Sequence, residues 1–282
     1  MRFTETERND GPFEVEVEET ELQSLFLHTG YDDSILYLGG RIDDNNLYPS
    51  GYIKYLNQKI KKLNPKHIIC HSHWYAWKYY DMGVLDKSMK IDTIMCDYEN
   101  LRHHTFDPIN KEDYQGSHRW CIKPLVEKNP NIVFALYDSF DFNRSGSVGV
   151  NMEWFGGCND IKYFTFDRRY TEPEALALRQ FNWCHCYRRN GTDGFSIVMN
   201  LLKLGFKNLN IIGFTAFGSD EDDSNFSKYI TSDNPKINNR NYFNIETSEC
   251  QRAEADILKY WVENKKIYNL ENYEILKKEN KC

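Results

Sequence analysis

The feature that most constrains the fold is the segment 187–217, Y-R-R-N-G-T-D-G-F-S-I-V-M-N-L-L-K-L-G-F-K-N-L-N-I-I-G-F-T-A-F. It begins with a turn in which Gly191 and Gly194 bracket Thr192 and Asp193. Either polar side chain can accept a hydrogen bond from one of the unpaired N–H groups at the start of a helix. The turn therefore predicts a helix N-terminus, which is also a place where phosphate groups bind.

A helix and a strand follow this turn. The apolar residues of 195–204 recur at helical spacing, and Gly205 stands where a glycine in the left-handed conformation often ends a helix. Residues 209–213 are mostly apolar and short enough to form a buried strand. The segment thus predicts both a helix N-terminus and a strand end, and ligands of open α/β sheets bind next to such ends.

Strand and helix patterns alternate along the rest of the chain. The predicted strands are 34–40, 66–70, 91–96, 131–137 and 266–270, and the predicted helices are 52–63, 172–181 and 253–263. Such alternation is typical of a mainly parallel sheet flanked by helices. Because no repeat or linker interrupts the pattern, we predict a single α/β domain over 1–282 with a long polar insertion at 218–245.

The net charge and the cysteine content indicate which partners and which cellular compartment are to be expected. The net charge of −7 argues against a nucleic-acid partner, since such binding relies on a basic surface. Residues 1–20 form an acidic arm that reads either as an edge strand or as disordered, and it lacks the apolar core of a secretory leader. The lack of such a core, together with the eight scattered cysteines, predicts reduced thiols in a cytoplasmic protein. No apolar run approaches the roughly 18 residues of a membrane span.

Glycine and histidine residues follow two of the predicted strands. Gly39 and Gly40 end the first strand, where the lack of side chains lets a ligand approach the backbone. His71 and His73 follow the second strand and are either ligand contacts or ordinary loop histidines. These residues are candidates for a binding site at the ends of the strands.

Basic and sulfur-containing side chains suggest two further kinds of site. Arg188 and Arg189 can hold a carboxylate or a phosphate through paired hydrogen bonds, or they form a solvated pair. The sequence Cys70-x-x-His73 and the pair Cys184 and Cys186 invite a zinc site. However, the pair is separated by one residue, whereas structural zinc sites commonly use about two to four. We therefore predict no bound metal.

Several motifs resemble those of the sialyltransferases of glycosyltransferase family 42. They are T-D-G at 192–194, K-L-G-F-K at 203–207 and I-G-F at 212–214, and the spacing of their glycines agrees with the family. Three other segments resemble family segments in register, namely 66–80, 92–104 and 254–270.

The resemblance implies a Rossmann-like glycosyltransferase that uses a nucleotide-sugar donor as co-substrate and needs neither a metal nor another cofactor. Thr192, Asp193 and Gly194 would lie against the ribose and phosphate of the donor. His73 would take the place of a nucleotide-contacting Asn of the family. The insertion 218–245 would be a lid that closes over the donor and excludes water, which suits a long polar loop.

The chain departs from the family at the residues that would carry the chemistry. The family's general-base His falls on Thr247, and no His occurs after His185. Glu246 and Glu249 flank that place, and a carboxylate can also accept the proton of an acceptor hydroxyl. His71 or His73, from across the cleft, is the other candidate base.

The phosphate-holding and N-terminal parts of the family pattern also differ. Phe217 stands for one of the two family tyrosines that hold the leaving phosphate, and Tyr229 is the nearest substitute for the other. Since Phe cannot donate a hydrogen bond, donor binding must differ in detail. The family's N-terminal glycine loop is missing, and 35–40, together with Arg41 and Asp43, is its closest substitute.

The sequence therefore predicts an inverting sialyltransferase-like enzyme that transfers a sugar from CMP-sialic acid or another nucleotide sugar to the hydroxyl of a glycan or other acceptor. Three alternatives stay open. One is a glycosyltransferase with a non-sialic donor, acting on an acceptor such as modified nucleic acid. Another is an inactive descendant that binds a nucleotide or a glycan. The third is an unrelated zinc or thiol enzyme that uses Cys184 and Cys186.

Overall fold

The fold is described from a computed structural model of the chain. It describes residues 2–4, 14–16, 29–40, 50–97, 122–137, 158, 161–165, 193–203, 205–214, 256–272 and 275. The predicted helix at 172–181 and the predicted insertion at 218–245 lie outside these residues.

The described strands form a small antiparallel pair and a seven-stranded parallel sheet. They are β1 (Arg2–Thr4), β2 (Glu14–Glu16), β3 (Ser34–Leu38), β4 (His67–His71), β5 (Thr93–Asp97), β6 (Val133–Tyr137), β7 (Lys162–Thr165), β8 (Asn208–Ile212) and β9 (Ile267–Asn269). In the acidic arm, β2 pairs with β1 rather than with the large sheet. The large sheet has the order β7-β6-β5-β4-β3-β8-β9, and every adjacent pair in it is parallel. The prediction of an α/β fold with a mainly parallel sheet is confirmed.

Helices cover both faces of this sheet. They are α1 (Ser50–Leu63), α2 (His73–Asp81), α3 (Ile122–Lys128), α4 (Asp193–Lys203) and α5 (256–263). One apolar cluster joins the sheet to α1, α2 and α3, and a second joins it to α4 and α5. Strand β3 contributes to both, because successive side chains of a strand point to opposite faces. Leu36 and Leu38 belong to the first cluster, and Ile35 and Tyr37 belong to the second.

The chain winds outward from β3 in two directions. It runs first through β4, β5 and β6 to β7, and then returns to the other side of β3 to form β8 and β9. Parallel crossovers are right-handed almost without exception, so a reversal of direction moves the connecting helices to the opposite face of the sheet. This explains why α1, α2 and α3 share one face while α4 and α5 share the other. The order therefore reverses between β3 and β8.

Elements α2, α3 and β7 are missing from the sequence-based prediction. No helix is predicted over the stretch H-W-Y-A-W-K-Y-Y of α2, whose aromatic residues are only moderate helix formers. Ala76, Tyr79 and Tyr80 are nevertheless buried, at the i, i+3 and i+4 spacing of a helix face. Packing on the sheet, rather than local preference, makes this segment helical. Within the described residues, no helix is long and apolar enough to cross a bilayer.

One buried histidine makes the stability of this fold depend on pH. His67, at the start of β4, is 1% exposed. Its Nδ1 lies 3.0 Å from the Thr29 hydroxyl, and its Nε2 lies 3.0 Å from the Thr93 hydroxyl. Burial lowers the pKa of His67 from 6.5 to about 4. Between these values the unfolded chain binds a proton that the folded chain does not. The contribution of His67 to the stability of the fold is therefore fully present above about pH 6.5 and is lost as the pH falls towards 4.

We expect His67 to account for about 3 kcal/mol of unfolding free energy lost between pH 7 and pH 4. Over the same pH interval, the His67→Gln variant should lose about 3 kcal/mol less stability than the wild-type protein, because glutamine does not titrate. Urea denaturation of both proteins at a series of pH values measures the difference, since all other titrating groups are shared. Parallel stability curves for the two proteins would contradict the prediction.

Candidate functional site

The reversal of strand order places two glycine-containing strand ends side by side. Gly39 and Gly40 follow β3, and Gly213 and Phe214 follow β8, its parallel neighbour. In open α/β sheets, ligands bind outside the carboxyl ends of the strands at the point where the order reverses. This edge of the sheet is therefore the candidate site.

The two strand ends lie too close together for side chains. The N–H of Gly39 donates to the carbonyl of Ile212 over 2.7 Å, and a Cβ added to Gly39 would lie 2.5 Å from the carbonyl oxygen of Gly213. Gly213 has φ +82°, and a Cβ there would lie 2.3 Å from the Tyr79 hydroxyl. That hydroxyl donates to the carbonyl of Gly39 over 2.9 Å. Both glycines are required by this backbone-to-backbone contact.

A buried carboxylate holds the end of β8. Glu271, just past β9, is 8% exposed, and its Oε2 accepts the N–H of Gly213 at 3.0 Å and that of Phe214 at 3.4 Å. These bonds pair two buried N–H groups where the sheet ladder ends. The positive φ of Gly213 is therefore held both by the neighbouring strand and by this carboxylate.

The ring of Phe214 brings the start of α4 to the same edge. A Cβ on Gly194, in the first turn of α4, would lie 3.2 Å from this ring, and one on Gly39 would lie 3.1 Å from it. The ring also makes an edge-on contact with Tyr37, at 5.6 Å between centroids. The N-terminus of α4 and the ends of β3 and β8 therefore meet around one aromatic side chain.

The end of β4 adds a histidine to this edge. His71 is half-buried, its Nδ1 lies 3.3 Å from the Tyr37 hydroxyl, and its ring stacks on Tyr75 at 5.8 Å between centroids. A Cβ on Gly40 would in turn lie 3.0 Å from the Tyr75 ring. His71 is therefore positioned from two sides, next to the glycines of β3.

The second histidine is in a different environment. His73, the first residue of α2, is only 5% exposed, and its Nδ1 lies 3.9 Å from the thiol of Cys96. It follows Ser72, whose positive φ of 66° is uncommon for a residue with a side chain and forms a sharp bend between β4 and α2. Of the two histidines, His71 is the one that solvent reaches more easily.

The cysteine proposed for zinc is also buried. The thiol of Cys70 lies within hydrogen-bonding distance of the carbonyls of His71 and Ser72, and burial raises its pKa. In the part of the chain that the structure describes, no group of three or more His, Cys, Asp or Glu side chains could hold a metal ion.

The structure brings together some of the predicted site residues. Gly39, Gly40, His71, His73 and Gly194 all lie at the carboxyl edge of the sheet, and Asp193 is the first residue of α4. The remaining candidates lie outside the described residues, namely Arg188, Arg189, Thr192, Phe217, Tyr229, Glu246, Glu249, Cys184 and Cys186.

Four residues of this edge were not predicted as site residues, although Phe214 belongs to the I-G-F motif. They are Tyr37, Tyr75, Phe214 and Glu271, which contact the predicted site residues through the bonds and rings described above. Phe214 and Glu271 each follow the end of a strand within two residues. A search for every polar or aromatic residue just past a predicted strand would have found them. Tyr37 lies inside an apolar strand and carries no such signal.

The comparisons with known proteins identify no relative of the chain. No model of a protein family matches it, and neither does a curated protein or a solved structure.

Proposed function

We propose that the chain is a glycosyltransferase with a Rossmann-like fold that binds a nucleotide-sugar donor at this edge of the sheet. The observation that supports the proposal is the reversal of strand order between β3 and β8, where Gly39, Gly40 and Gly194 lie. In addition, the T-D-G, L-G-F-K and I-G-F motifs resemble those of sialyltransferases. The donor would be CMP-sialic acid or another nucleotide sugar.

The geometry of this edge suits a phosphate group. Gly40 is partly exposed next to the packed Gly39, and the helix N-terminus at Asp193 and Gly194 presents N–H groups that have no partner within the helix, together with a partial positive charge. In this proposal Thr192, Asp193 and Gly194 contact the ribose and phosphate, while Arg188 and Arg189 hold an anionic group of the donor or the acceptor.

The proposed reaction is one direct displacement, so it inverts the anomeric configuration. A bond forms between the acceptor oxygen and the anomeric carbon, and the bond from that carbon to the phosphate oxygen breaks. Its electron pair leaves on the phosphate, and the proton of the acceptor hydroxyl passes to a base, for which we propose Glu246 or Glu249. The segment 218–245, with Phe217 and Tyr229, would close over the donor and exclude water.

Nucleotide binding is the first expectation to test. The wild-type protein should be stabilised by at least one of CMP, CMP-sialic acid, UDP-sugars and GDP-sugars. At about 100 times the Kd, a ligand adds about 2.7 kcal/mol of stability, or roughly 5 °C in melting temperature for a chain of this size. Thermal shift measures this. Failure of every nucleotide and nucleotide sugar in the panel to raise the melting temperature would refute the proposed function.

Two glycine variants test whether the nucleotide binds at this edge of the sheet. In Gly40→Ala the new methyl group lies 3.0 Å from the Tyr75 ring and narrows the proposed site, so the stabilisation by the nucleotide should be reduced. Gly30→Ala is the matched control, because Gly30 is exposed and, among the described residues, its methyl group would meet only the Asp33 carboxylate, at 3.4 Å. Equal nucleotide stabilisation of both variants would place the ligand elsewhere.

A second candidate function is a nucleotide- or glycan-binding protein without catalysis, and the absence of any His after His185 favours it. Variants of the proposed base separate the two functions. Glu246→Gln or Glu249→Gln should keep nucleotide binding and abolish sugar transfer if one of them is the base. If transfer is intact in both variants, the carboxylate base is dismissed. If the wild-type protein binds a donor but never transfers or hydrolyses it, the binding function is supported.

A further inference from the structure

The hydroxyl of Tyr37 lies against one ring nitrogen of His71. Tyr37 is fully buried, and among the described residues its hydroxyl has one hydrogen-bond partner, His71 Nδ1, at 3.3 Å. Burial and the nearby Cys70 thiol raise the pKa of Tyr37 well above its usual value, so the hydroxyl keeps its proton. A buried O–H without an acceptor is destabilising, so the hydroxyl donates to the neutral Nδ1 of His71.

This arrangement makes Nε2 of His71 a hydrogen-bond donor in both charge states. A neutral imidazole that accepts at Nδ1 has its proton on Nε2. A charged imidazole has a proton on each nitrogen, and the Tyr37 hydroxyl then turns and accepts from Nδ1. In neither state does Nε2 offer a lone pair. An imidazole held in this way suits a ligand with acceptor oxygens and does not suit the removal of a proton from a hydroxyl.

We propose that His71 binds a phosphate oxygen of the nucleotide through Nε2–H, with Tyr37 as its positioning residue, and that His71 is not the general base. The inference rests on the proposed nucleotide-binding function and assigns one contact within it. In the displacement, this bond strengthens as the electron pair of the breaking bond moves to the phosphate. It also supplies a donor to the phosphate that Phe217 cannot.

The position of His71 supports the assignment. It lies at the carboxyl end of β4, which is the direct neighbour of β3 with its two glycines. The Tyr75 ring, stacked on His71 and lying against Gly40, limits rotation of the imidazole. His73 is less suitable because it is buried beside the Cys96 thiol.

The tautomer of His71 is the first test, and its readout does not depend on activity. Imidazole nitrogen NMR shifts are recorded at a pH where the ring is neutral, and the His71 signals are assigned by their loss in His71→Gln. We expect a proton on Nε2 in the wild-type protein and a mixture of tautomers in Tyr37→Phe. Tyr80→Phe, a buried tyrosine whose hydroxyl donates to Met89 instead, should leave the His71 shifts unchanged. A proton on Nδ1 in the wild-type protein would overturn the proposal.

The phosphate contact is the second test. The affinities of CMP, UDP and GDP are compared with those of cytidine, uridine and guanosine. A hydrogen bond to a charged phosphate contributes more to the binding free energy than one between neutral groups. The loss of this bond in His71→Phe should therefore weaken nucleotide binding roughly tenfold or more. The same variant should leave nucleoside binding unchanged. His71→Gln, which keeps an N–H donor, should recover part of the loss, and Tyr80→Phe should bind like the wild-type protein.

The outcomes separate this inference from the function on which it rests. If the wild-type protein binds none of the three nucleotides, both are refuted. If it binds one of them and His71→Phe binds it equally well, the phosphate contact is refuted and nucleotide binding stands. The contact is also refuted if nucleotide and nucleoside affinity fall by the same factor, because the loss would then be unrelated to phosphate.

Discussion

Replacing Gly213 by alanine is expected to lower the free energy of unfolding by about 4 kcal/mol. Three effects add up at this position. The φ of +82° costs a residue with a side chain about 1–2 kcal/mol. The methyl group would lie 2.3 Å from the Tyr79 hydroxyl and 2.9 Å from the carbonyl oxygen of Gly39, an overpacking that costs about 1–3 kcal/mol. Displacing the Tyr79 hydroxyl also breaks its bond to Gly39, at roughly 1 kcal/mol.

Gly83→Ala is the matched control for this variant. Gly83 has nearly the same backbone conformation, with φ +78°, but a Cβ there meets no atom of the described residues within 4 Å. It should therefore cost only the conformational strain, about 1 kcal/mol. Urea denaturation of both variants at one pH measures the difference, which is the part due to the contact between the ends of β3 and β8. Equal losses in the two variants would show that this contact is not as close as described.

Tyr79→Phe identifies the source of the Gly213→Ala loss. Removing the hydroxyl gives the new methyl group room, at the cost of the bond to Gly39. In a double-mutant cycle, the two substitutions together should therefore cost less than the sum of the single ones. Strict additivity would mean that the Tyr79 hydroxyl does not contact position 213.

Replacing Phe195 by alanine is the other change with a large expected effect, also about 4 kcal/mol. Phe195 lies in α4, is 1% exposed, and stacks on Trp261 of α5 with centroids 5.5 Å apart and rings 4° from parallel. Truncation of a buried Phe leaves a cavity and commonly costs about 3–5 kcal/mol. Because Gly194 precedes Phe195, the loss should also loosen the first turn of α4 at the candidate site.

Tyr260→Ala is the control for the loss of an aromatic side chain. Tyr260 lies in the same helix as Trp261 but is 45% exposed, so its truncation should change the unfolding free energy by about 0.5 kcal/mol or less. Phe195→Leu, which fills most of the cavity, should fall between Phe195→Ala and the wild-type protein. Denaturation of all three variants tests this order. A cost for Phe195→Ala as small as that for Tyr260→Ala would mean that α4 and α5 do not pack through this ring.

The secondary structure could be predicted wherever the apolar residues form a clear run or recur with a clear period. The strand at 34–40 and the helix at 52–63 agree with β3 and α1 to within two residues, because a continuous apolar run and a regular apolar period are local properties. Element α2 was missed because its aromatic residues do not favour a helix by themselves. The short strand β7, which among the described strands pairs with β6 alone, is not indicated by a local pattern.

The candidate site could be predicted only in part. Gly39, Gly40 and Gly194 stand at the ends of predicted elements, so their positions were informative. His71 and His73 could not be told apart, because both follow the same strand and their burial depends on what packs over them. Glu271 was missed because it contacts Gly213 across 58 residues of sequence, and no local pattern encodes such a contact.

The sequence by itself determined the α/β class and the residue types at the strand ends, because periodicity, helix caps and glycines act over a few residues. The tertiary structure alone decided that β8 lies beside β3, since strand order depends on contacts between distant segments and on the hand of the crossovers. That adjacency brings Gly39, Gly213 and the start of α4 together. The pairing of β3 with β4, whose register the tertiary fold also determines, places Tyr37 against His71.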